Sequence, residues 1–215
     1  MASRGPRRVR PVQVAAVLGG SAALLGSWAT VVAEQELPPW EADLFEVVNG
    51  LPDGLWPLVW GPMQAGSLVG SLAAVGGTYA VTRDRRLALA ALGGSQVAWW
   101  SGKAVKEVVA RGRPLVFLPD TRLREKASGL GYVSGHSAVA FSLVAALAPA
   151  MPRSWRPAAV GAASFVALAR LYSGAHLPLD AVGGAGLGVL AGTAARWVLG
   201  LGGEGLPARR VAALR

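Results

Sequence analysis

Residues 12–33 read VQVAAVLGGSAALLGSWATVVA, a run without a single charged residue that follows a basic N-terminal stretch. Its length matches the roughly 20 residues that cross a bilayer as a helix. Five further apolar runs follow it along the chain, at about 55–81, 87–105, 137–151, 157–172 and 181–199. We therefore predict an all-α fold, a bundle of six transmembrane helices.

The composition independently places the chain among membrane proteins. Hydrophobic residues make up 53% of the 215 residues and charged residues 15%, with a mean hydropathy of +0.42. A soluble domain of this size lacks the polar surface to cover so much apolar area. The formal net charge is +9, but the basic residues are scattered between apolar runs, which argues against a nucleic-acid partner. The absence of cysteine excludes a disulfide framework, a thiolate metal site and a cysteine nucleophile.

The first apolar run has two interpretations. A secretory signal peptide has the same charged start, and Val31–Ala33 resembles a cleavage site, but the apolar part exceeds the usual ~7 to 15 residues. We favour a retained helix, and cleavage would leave the orientation of the later helices unchanged. On this basis we divide the chain into a basic N-terminus (1–11), a transmembrane domain (12–200) and a basic tail (201–215), with both ends cytoplasmic.

Arginine-rich loops set the predicted orientation. They lie at 4–10, 83–86, 153–156 and 209–215, which fall on one side of the membrane if six helices alternate. Arginine and lysine concentrate in cytoplasmic loops. The opposite side, which carries the acidic segment 34–53 and the long connection 106–136, is therefore predicted to face outward.

The segment between the first two apolar runs is polar overall but has an apolar stripe. The residues of this stripe are Trp40, Leu44, Phe45, Val47 and Val48. Such a pattern is typical of a short helix that lies in the membrane interface. We predict an interfacial helix between transmembrane helices 1 and 2.

Only two histidines occur in the chain, and each stands at the predicted outer end of a helix. His136 lies in the sequence Val-Ser-Gly-His-Ser at 133–137. Ser134 is suited to cap a helix there, and Gly135 leaves backbone N–H groups open to an anion. The alternative at this segment is an ordinary helix cap beside a solvated histidine.

His176 lies between Arg170 and Asp180. A helix that carries Arg170 can end at Gly174, and the next can begin at Pro178, which puts Asp180 in its first turn. A carboxylate four residues from the imidazole can accept a hydrogen bond from one ring nitrogen and leave the other as a nucleophile. The alternative is a structural trio in which Arg170 pairs with Asp180.

A basic cluster follows the third apolar run, and its members are Lys103, Lys106, Arg111 and Arg113. Lys106 and Arg113 stand two helical turns apart if the helix continues to Gly112, so both can point at one anion. The alternative is a solvated loop or one that binds lipid headgroups. If the helices alternate in direction across the membrane, this cluster lies on the same face of the bundle as both histidines, Arg170 and Asp180. This arrangement favours a single anion site.

Three segments together resemble the signature of the type 2 phosphatidic acid phosphatase superfamily, which includes lipid phosphate phosphatases and vanadium haloperoxidases. They are Lys106 with Arg113-Pro114, Ser134-Gly135-His136, and Arg170 with His176 and Asp180. The resemblance covers roughly residues 55–199. Two positions depart from the family pattern. Val133 stands where proline is usual and Ala169 where serine is usual, which puts the catalytic rate in doubt more than the reaction type.

The resemblance implies hydrolysis of a phosphoric ester through a phosphohistidine, with neither a metal nor another cofactor. In that scheme His176 is the nucleophile, Asp180 holds its tautomer, and His136 acts as general acid and then as general base. The phosphate-binding residues that it implies are Lys106, Arg113, Ser134, Gly135 and Arg170.

A site at the outer membrane face suits a substrate whose tail stays in the bilayer. Phosphatidate, phosphatidylglycerophosphate and polyprenyl diphosphate all meet this requirement. The chain has far more arginine than lysine, which hints at a GC-rich bacterial genome and at recycling of a cell-wall carrier in the plasma membrane. The alternatives are a non-catalytic membrane protein that binds or transports a phosphorylated lipid, and a phosphatase or haloperoxidase for a soluble substrate.

Overall fold

The computed structural model describes residues 11–34 and 36–201, so the predicted cytoplasmic ends lie almost entirely outside the described residues. Within these ranges the fold is all-α, as predicted. The α-helices are α1 (Pro11–Ala33), α2 (Pro39–Asn49), α3 (Trp56–Met63), α4 (Leu68–Thr82), α5 (Arg85–Val109), α6 (Pro114–Phe117), α7 (Gly135–Leu147), α8 (Arg156–Tyr172) and α9 (Pro178–Val198). The division of the chain into three segments stays a prediction.

Helices α7 and α9 form the centre of the bundle, and α1, α5 and α8 pack around them. Glycines on α9 allow this close approach. A Cβ atom at Gly188 would lie 2.2 Å from the carbonyl oxygen of Ala138, and one at Gly184 would lie 2.4 Å from that of Ser134. Small residues let membrane helices pack backbone to backbone. These glycines therefore allow the first turn of α7, which carries His136, to lie close to the start of α9.

The second apolar run is not one straight helix. Residues Asp53–Gly66 and Leu68–Thr82 form two helical pieces that meet at an angle of 67°. Ser67 lies between them in an extended conformation, and its hydroxyl accepts a hydrogen bond from the backbone N–H of Gly70 at 2.9 Å. A serine in this conformation starts a new helix rather than continuing the old one. The bend is therefore encoded locally.

The structure bears on the membrane prediction in two ways. In the described part of the chain one helix, Pro11–Ala33, is long and apolar enough to cross a bilayer, and the bent pair adds a second if it counts as one span. The count of six spans stays a prediction.

Large apolar side chains are also exposed around the bundle, among them Leu58, Val69, Val108 and Val198. So much exposed apolar surface is characteristic of a protein that sits in a bilayer.

The helix predicted between the first two apolar runs is present as α2, but its apolar stripe is divided. Phe45 is buried in a core cluster formed with α8 and α9, whereas Trp40 and Val47 are exposed. Glu41 and Asn49 lie four residues on either side of Phe45, on the same helix face, and both are buried. Helix α2 thus turns a partly polar face towards the interior of the protein.

Candidate active site

Four helix ends carry the residues that the sequence analysis singled out. Lys106 lies in the last turn of α5 and Arg170 in the last turn of α8, while His136 and Asp180 lie in the first turns of α7 and α9. These ends surround one cavity of about 470 Å³. The predicted site residues that line it are Lys106, Arg113, Gly135, His136, Arg170 and His176. Ser134 and Asp180 are fully buried and are not part of the cavity lining.

Helix α5 does not continue to Gly112, so the condition for Lys106 and Arg113 to stand two helical turns apart is not met. The helix ends at Val109, because Ala110 adopts a left-handed conformation with φ 52°. Arg113 therefore reaches the cavity from the loop, as the residue that precedes the short helix α6, and not from two helical turns beyond Lys106. The two cations still meet at one cavity because the loop folds back over the end of α5.

Backbone carbonyl groups hold these two cations in place. Nζ of Lys106 donates to two carbonyl oxygens of the loop 128–131, at 2.9 and 2.7 Å. Arg113 donates from Nε to two carbonyl oxygens of the same loop at 3.0 and 3.1 Å, and from Nη1 to that of Ala175 at 2.6 Å. Carbonyl oxygens fix a cation without neutralising its charge. The cavity therefore presents positive charge at fixed positions, which suits an anion.

Arg170 is only 6% exposed, and its Nε has no hydrogen-bond partner within residues 11–34 and 36–201. Its Nη1 pairs with the carboxylate of Glu125, so the structural trio in which Arg170 pairs with Asp180 does not form. A buried N–H group without an acceptor is costly unless a ligand supplies one. The guanidinium of Arg170 is therefore suited to bind an oxyanion through Nε, while its Nη1 already binds the carboxylate of Glu125.

The turn between α8 and α9 presents His176 to the cavity. Gly174 has a φ of +78°, a left-handed conformation that glycine adopts without strain, and the chain reverses there. Nδ1 of His176 lies 3.3 Å from Oδ2 of Asp180, and this oxygen also accepts from the backbone N–H of Leu177 at 3.0 Å. With its proton held on Nδ1 by the carboxylate, the imidazole has Nε2 available for chemistry.

His136 lines the same cavity from the start of α7, and its ring meets that of Trp99 edge-on at a centroid distance of 6.4 Å. Ser134 precedes it as the N-cap. The hydroxyl of Ser134 accepts from the backbone N–H of Ser137 at 3.4 Å, which is a capping contact. Gly135 lines the cavity instead, with no side chain to block an approaching ligand.

Residues 65–201 match the model of the PAP2 superfamily. The chain belongs to this superfamily. The match covers more than half of the chain and every predicted site residue, and it confirms the family and the enzyme class that the sequence predicts. No protein of curated function matches the sequence.

Two solved structures are similar to this PAP2 protein. LpxE from Aquifex aeolicus superposes with a TM-score of 0.66 at 19% sequence identity, over 71% of this chain and 92% of LpxE. The transmembrane PAP2-type phosphatidylglycerolphosphate phosphatase from Bacillus subtilis has a TM-score of 0.49 at 21% identity, over 89% of this chain and 87% of its own. The likeness to LpxE shows that the two chains share a helical fold.

Two glutamates of the PAP2 site region were not predicted to belong to it, and Arg111 was predicted only as a member of the basic cluster. Glu125 pairs with Arg170, while Arg111 and the buried Glu41 lie behind Asp180 and bind one another. Arg111 stands in the basic cluster, but its spacing there does not distinguish it from its neighbours. Glu41 and Glu125 lie in segments without a motif. No local signal in the sequence marks either glutamate, because both depend on contacts between distant segments.

We expect the imidazole of His176 to stay neutral well below pH 6.5. Burial, and then the charges of Lys106, Arg170 and Arg113, lower the pKa of His176 well below its ordinary value of about 6.5. Since the chain has only two histidines, the variant His136→Asn leaves His176 as a single imidazole for NMR titration. Its ring resonance should keep the neutral shift as the pH falls through 6.5. A midpoint at or above 6.5 would contradict this expectation, because it would mean that the charge of Asp180 outweighs burial and the nearby cations.

Proposed function

We propose that this protein hydrolyses a lipid phosphate or diphosphate through a phosphohistidine intermediate, without a metal. One observation carries the proposal: a carboxylate-backed imidazole, His176, and a second imidazole, His136, line the same cavity as three cations. A site that only binds or transports an anion needs the cations alone. A carboxylate-backed imidazole is the arrangement of an activated nucleophile. These groups therefore favour a hydrolase over a non-catalytic binder of phosphorylated lipids.

In the first step Nε2 of His176 attacks phosphorus in line with the ester oxygen. A P–N bond forms while the P–O bond to the lipid breaks, and Asp180 stabilises the positive charge that develops on the imidazole. His136 donates a proton to the departing oxygen. The leaving group is the lipid alcohol of a monoester or the lipid monophosphate of a diphosphate.

In the second step water attacks the phosphohistidine, and His136 now accepts the proton of that water. The P–N bond breaks, inorganic phosphate leaves, and the neutral imidazole of His176 is restored. The side chains of Lys106, Arg113 and Arg170 surround the equatorial oxygens in both steps and stabilise their charge. They supply the positive charge that metal ions supply in many other phosphatases.

The apolar residues at and near the cavity support a lipid substrate. The cavity lining includes Trp99 and Leu130, and exposed apolar side chains such as Trp100 and Val108 lie on the same helix, α5. A phosphorylated headgroup can enter the cavity from the membrane surface while its tail stays along this apolar wall. Phosphatidate, phosphatidylglycerophosphate and polyprenyl diphosphate all fit this description. Recycling of a polyprenyl cell-wall carrier is one such role.

The membrane arrangement that we propose has six spans, formed by α1, the bent pair α3–α4, α5, α7, α8 and α9. With the arginine-rich loops in the cytoplasm, the cavity faces the outside of a bacterial plasma membrane. The last turns of α5 and α8 and the first turn of α7 line the cavity, and the turn that precedes α9 contributes His176 to it. This common direction agrees with alternation of the helices across a bilayer.

The test is phosphate release by the purified protein in detergent, with a panel of lipid monophosphates and diphosphates. We expect release to persist in excess chelator, because protein cations provide the charge, and to stop with vanadate, which mimics the five-coordinate phosphoryl group. Strict dependence on a divalent cation would rule out the metal-free mechanism. Binding of the lipids without phosphate release from any of them would support the non-catalytic alternative instead.

A further inference from the structure

A chain of buried charges runs from helix α2 to the nucleophile. Glu41 has no exposed surface, and its carboxylate binds both Nη atoms of Arg111, at 3.1 Å for Oε1 and 2.6 Å for Oε2. Nη1 of Arg111 also donates to Oδ1 of Asp180 at 3.0 Å. The other oxygen of Asp180 lies 3.3 Å from Nδ1 of His176. Four side chains from α2, the α5–α6 loop, α9 and the α8–α9 turn are thereby connected in one line.

We propose that Glu41 and Arg111 are positioning residues for the nucleophile, and this inference rests on the proposed role of His176. Glu41 fixes the guanidinium of Arg111, and Arg111 fixes Oδ1 of Asp180. The remaining oxygen, Oδ2, is then directed at Nδ1 of His176. The orientation of the imidazole, and the tautomer that leaves Nε2 free, depend on a glutamate that never touches the substrate.

The geometry restricts the carboxylate of Asp180 at both oxygens. Arg111 holds Oδ1, while the backbone N–H of Leu177 holds Oδ2 at 3.0 Å. Rotation of the carboxylate would break both contacts at once. Glu41 also accepts from the backbone N–H of Leu179 at 2.9 Å, so it connects α2 directly to the turn of α9 that carries Asp180. The planar fork of arginine suits this bridging position, since it can bind two carboxylates in fixed directions.

The charges of Arg111 and Asp180 suggest a role for the second carboxylate, that of Glu41. If Arg111 faced Asp180 alone, the guanidinium would neutralise the carboxylate on which His176 depends. With Glu41 present, the buried set contains two carboxylates and one guanidinium, so one negative charge is in excess. An imidazolium-like His176, formed when the P–N bond forms, balances that charge. Glu41 therefore stabilises the reacting state more than the resting state.

A buried ion pair adds little net stability, because desolvation of the charges offsets much of their attraction, but removal of one partner destabilises the fold. The variants described below therefore separate loss of positioning from loss of stability. Glu41 also lies outside residues 65–201, the part of the chain that matches the PAP2 model. It stands on α2, whose Trp40 and Val47 are exposed on the opposite face. The nucleophile of this protein is thus positioned by a helix outside the part of the chain that matches the family model.

The experiment compares kcat and KM of Glu41→Gln with those of wild type, on the most reactive lipid phosphate of the panel. We expect kcat to fall about 10- to 100-fold, as is typical when a group that orients a reactive side chain is removed, with KM within about twofold. Glu41→Asp keeps the negative charge and should recover a large part of kcat. The control is Glu46→Gln on the exposed face of α2, which should behave as wild type.

A second control separates positioning from docking of α2. Asn49 anchors the same helix face: its Nδ2 donates to the carbonyl oxygens of Arg122, Leu171 and Tyr172 at 3.0, 3.3 and 3.1 Å. Asn49→Ala should lower the melting temperature but leave kcat near wild type below the transition. In combination with Asp180→Asn, the Glu41→Gln change should have almost no further effect, because the two residues act through one path.

Wild-type kcat in a folded Glu41→Gln protein would overturn the proposal, as would equal losses of kcat in Glu41→Gln, Glu41→Asp and Asn49→Ala. If Glu41→Gln does not fold, Arg111→Lys provides the same test, because it keeps the charge but loses the fork and should lower kcat with little change in KM. These outcomes differ from failure of the proposed function. In that case wild type releases no phosphate, or His176→Ala retains full activity.

Discussion

Replacement of His176 by alanine lowers kcat for lipid phosphate hydrolysis by at least about 10³-fold, because the P–N bond can no longer form. Its imidazole is the one that combines a position at the cavity with a carboxylate partner, Asp180 at 3.3 Å. Alanine leaves the phosphate-binding cations in place. Substrate therefore continues to bind, and the loss appears in kcat. Steady-state phosphate release in detergent measures it.

The intermediate itself provides the stricter measurement. Wild type mixed with substrate labelled in the transferred phosphate and quenched in base should carry an alkali-stable, acid-labile label, as expected of a phosphohistidine. His176→Ala should carry none, while its melting temperature shows whether the fold is intact. Label on a different residue in wild type, or full turnover by a folded His176→Ala protein, would contradict the assignment of the nucleophile.

Replacement of His136 by asparagine should lower kcat by about 10²- to 10⁴-fold on lipid substrates, the range usual for loss of a general acid and base. Both steps lose their proton carrier. The size of the loss should depend on the leaving group, which distinguishes His136 from a residue that only shapes the cavity. A lipid alkoxide needs a proton to depart, whereas an activated aryl oxide does not.

An aryl phosphate therefore isolates the second role of His136. With such a substrate the His136→Asn protein should form the phosphohistidine almost normally and hydrolyse it slowly, so a burst of aryl alcohol precedes a slow steady state. His136→Ala serves as a size control and should behave similarly. If the loss is the same for alkyl and aryl substrates and no burst occurs, His136 acts by a route other than proton transfer.

Much of the site could be predicted because its residues lie at helix ends with short, regular spacing. Arg170, His176 and Asp180 follow one another across a single turn, so local rules for ending and starting a helix place them together. Helix alternation then places the ends of α5, α7, α8 and α9 on one side, and the ends of α5, α7 and α8 and the turn before α9 do line one cavity. The all-α fold, the family and the enzyme class were confirmed.

Other features could not be predicted from local patterns. The sequence leaves open whether the helix that carries Lys106 continues to Gly112, and this helix ends earlier because Ala110 adopts a left-handed conformation. Ser134 caps α7, as its place in the sequence suggests, and its role in phosphate binding stays a prediction. The end of α5 depends on how the following loop packs against its neighbours. Hydropathy and spacing do not report this packing.

The sequence by itself predicts a helical membrane protein that gathers two histidines, three cations and a carboxylate at or near helix ends on one side. Apolar length and short spacing are local properties, and they act through rules that hold in any fold. Only the tertiary structure decided that Arg111 forms ion pairs with both Glu41 and Asp180, and that Glu125 forms one with Arg170. These ion pairs join segments far apart in the chain, and they form only where packing brings those segments together and removes water from the charges.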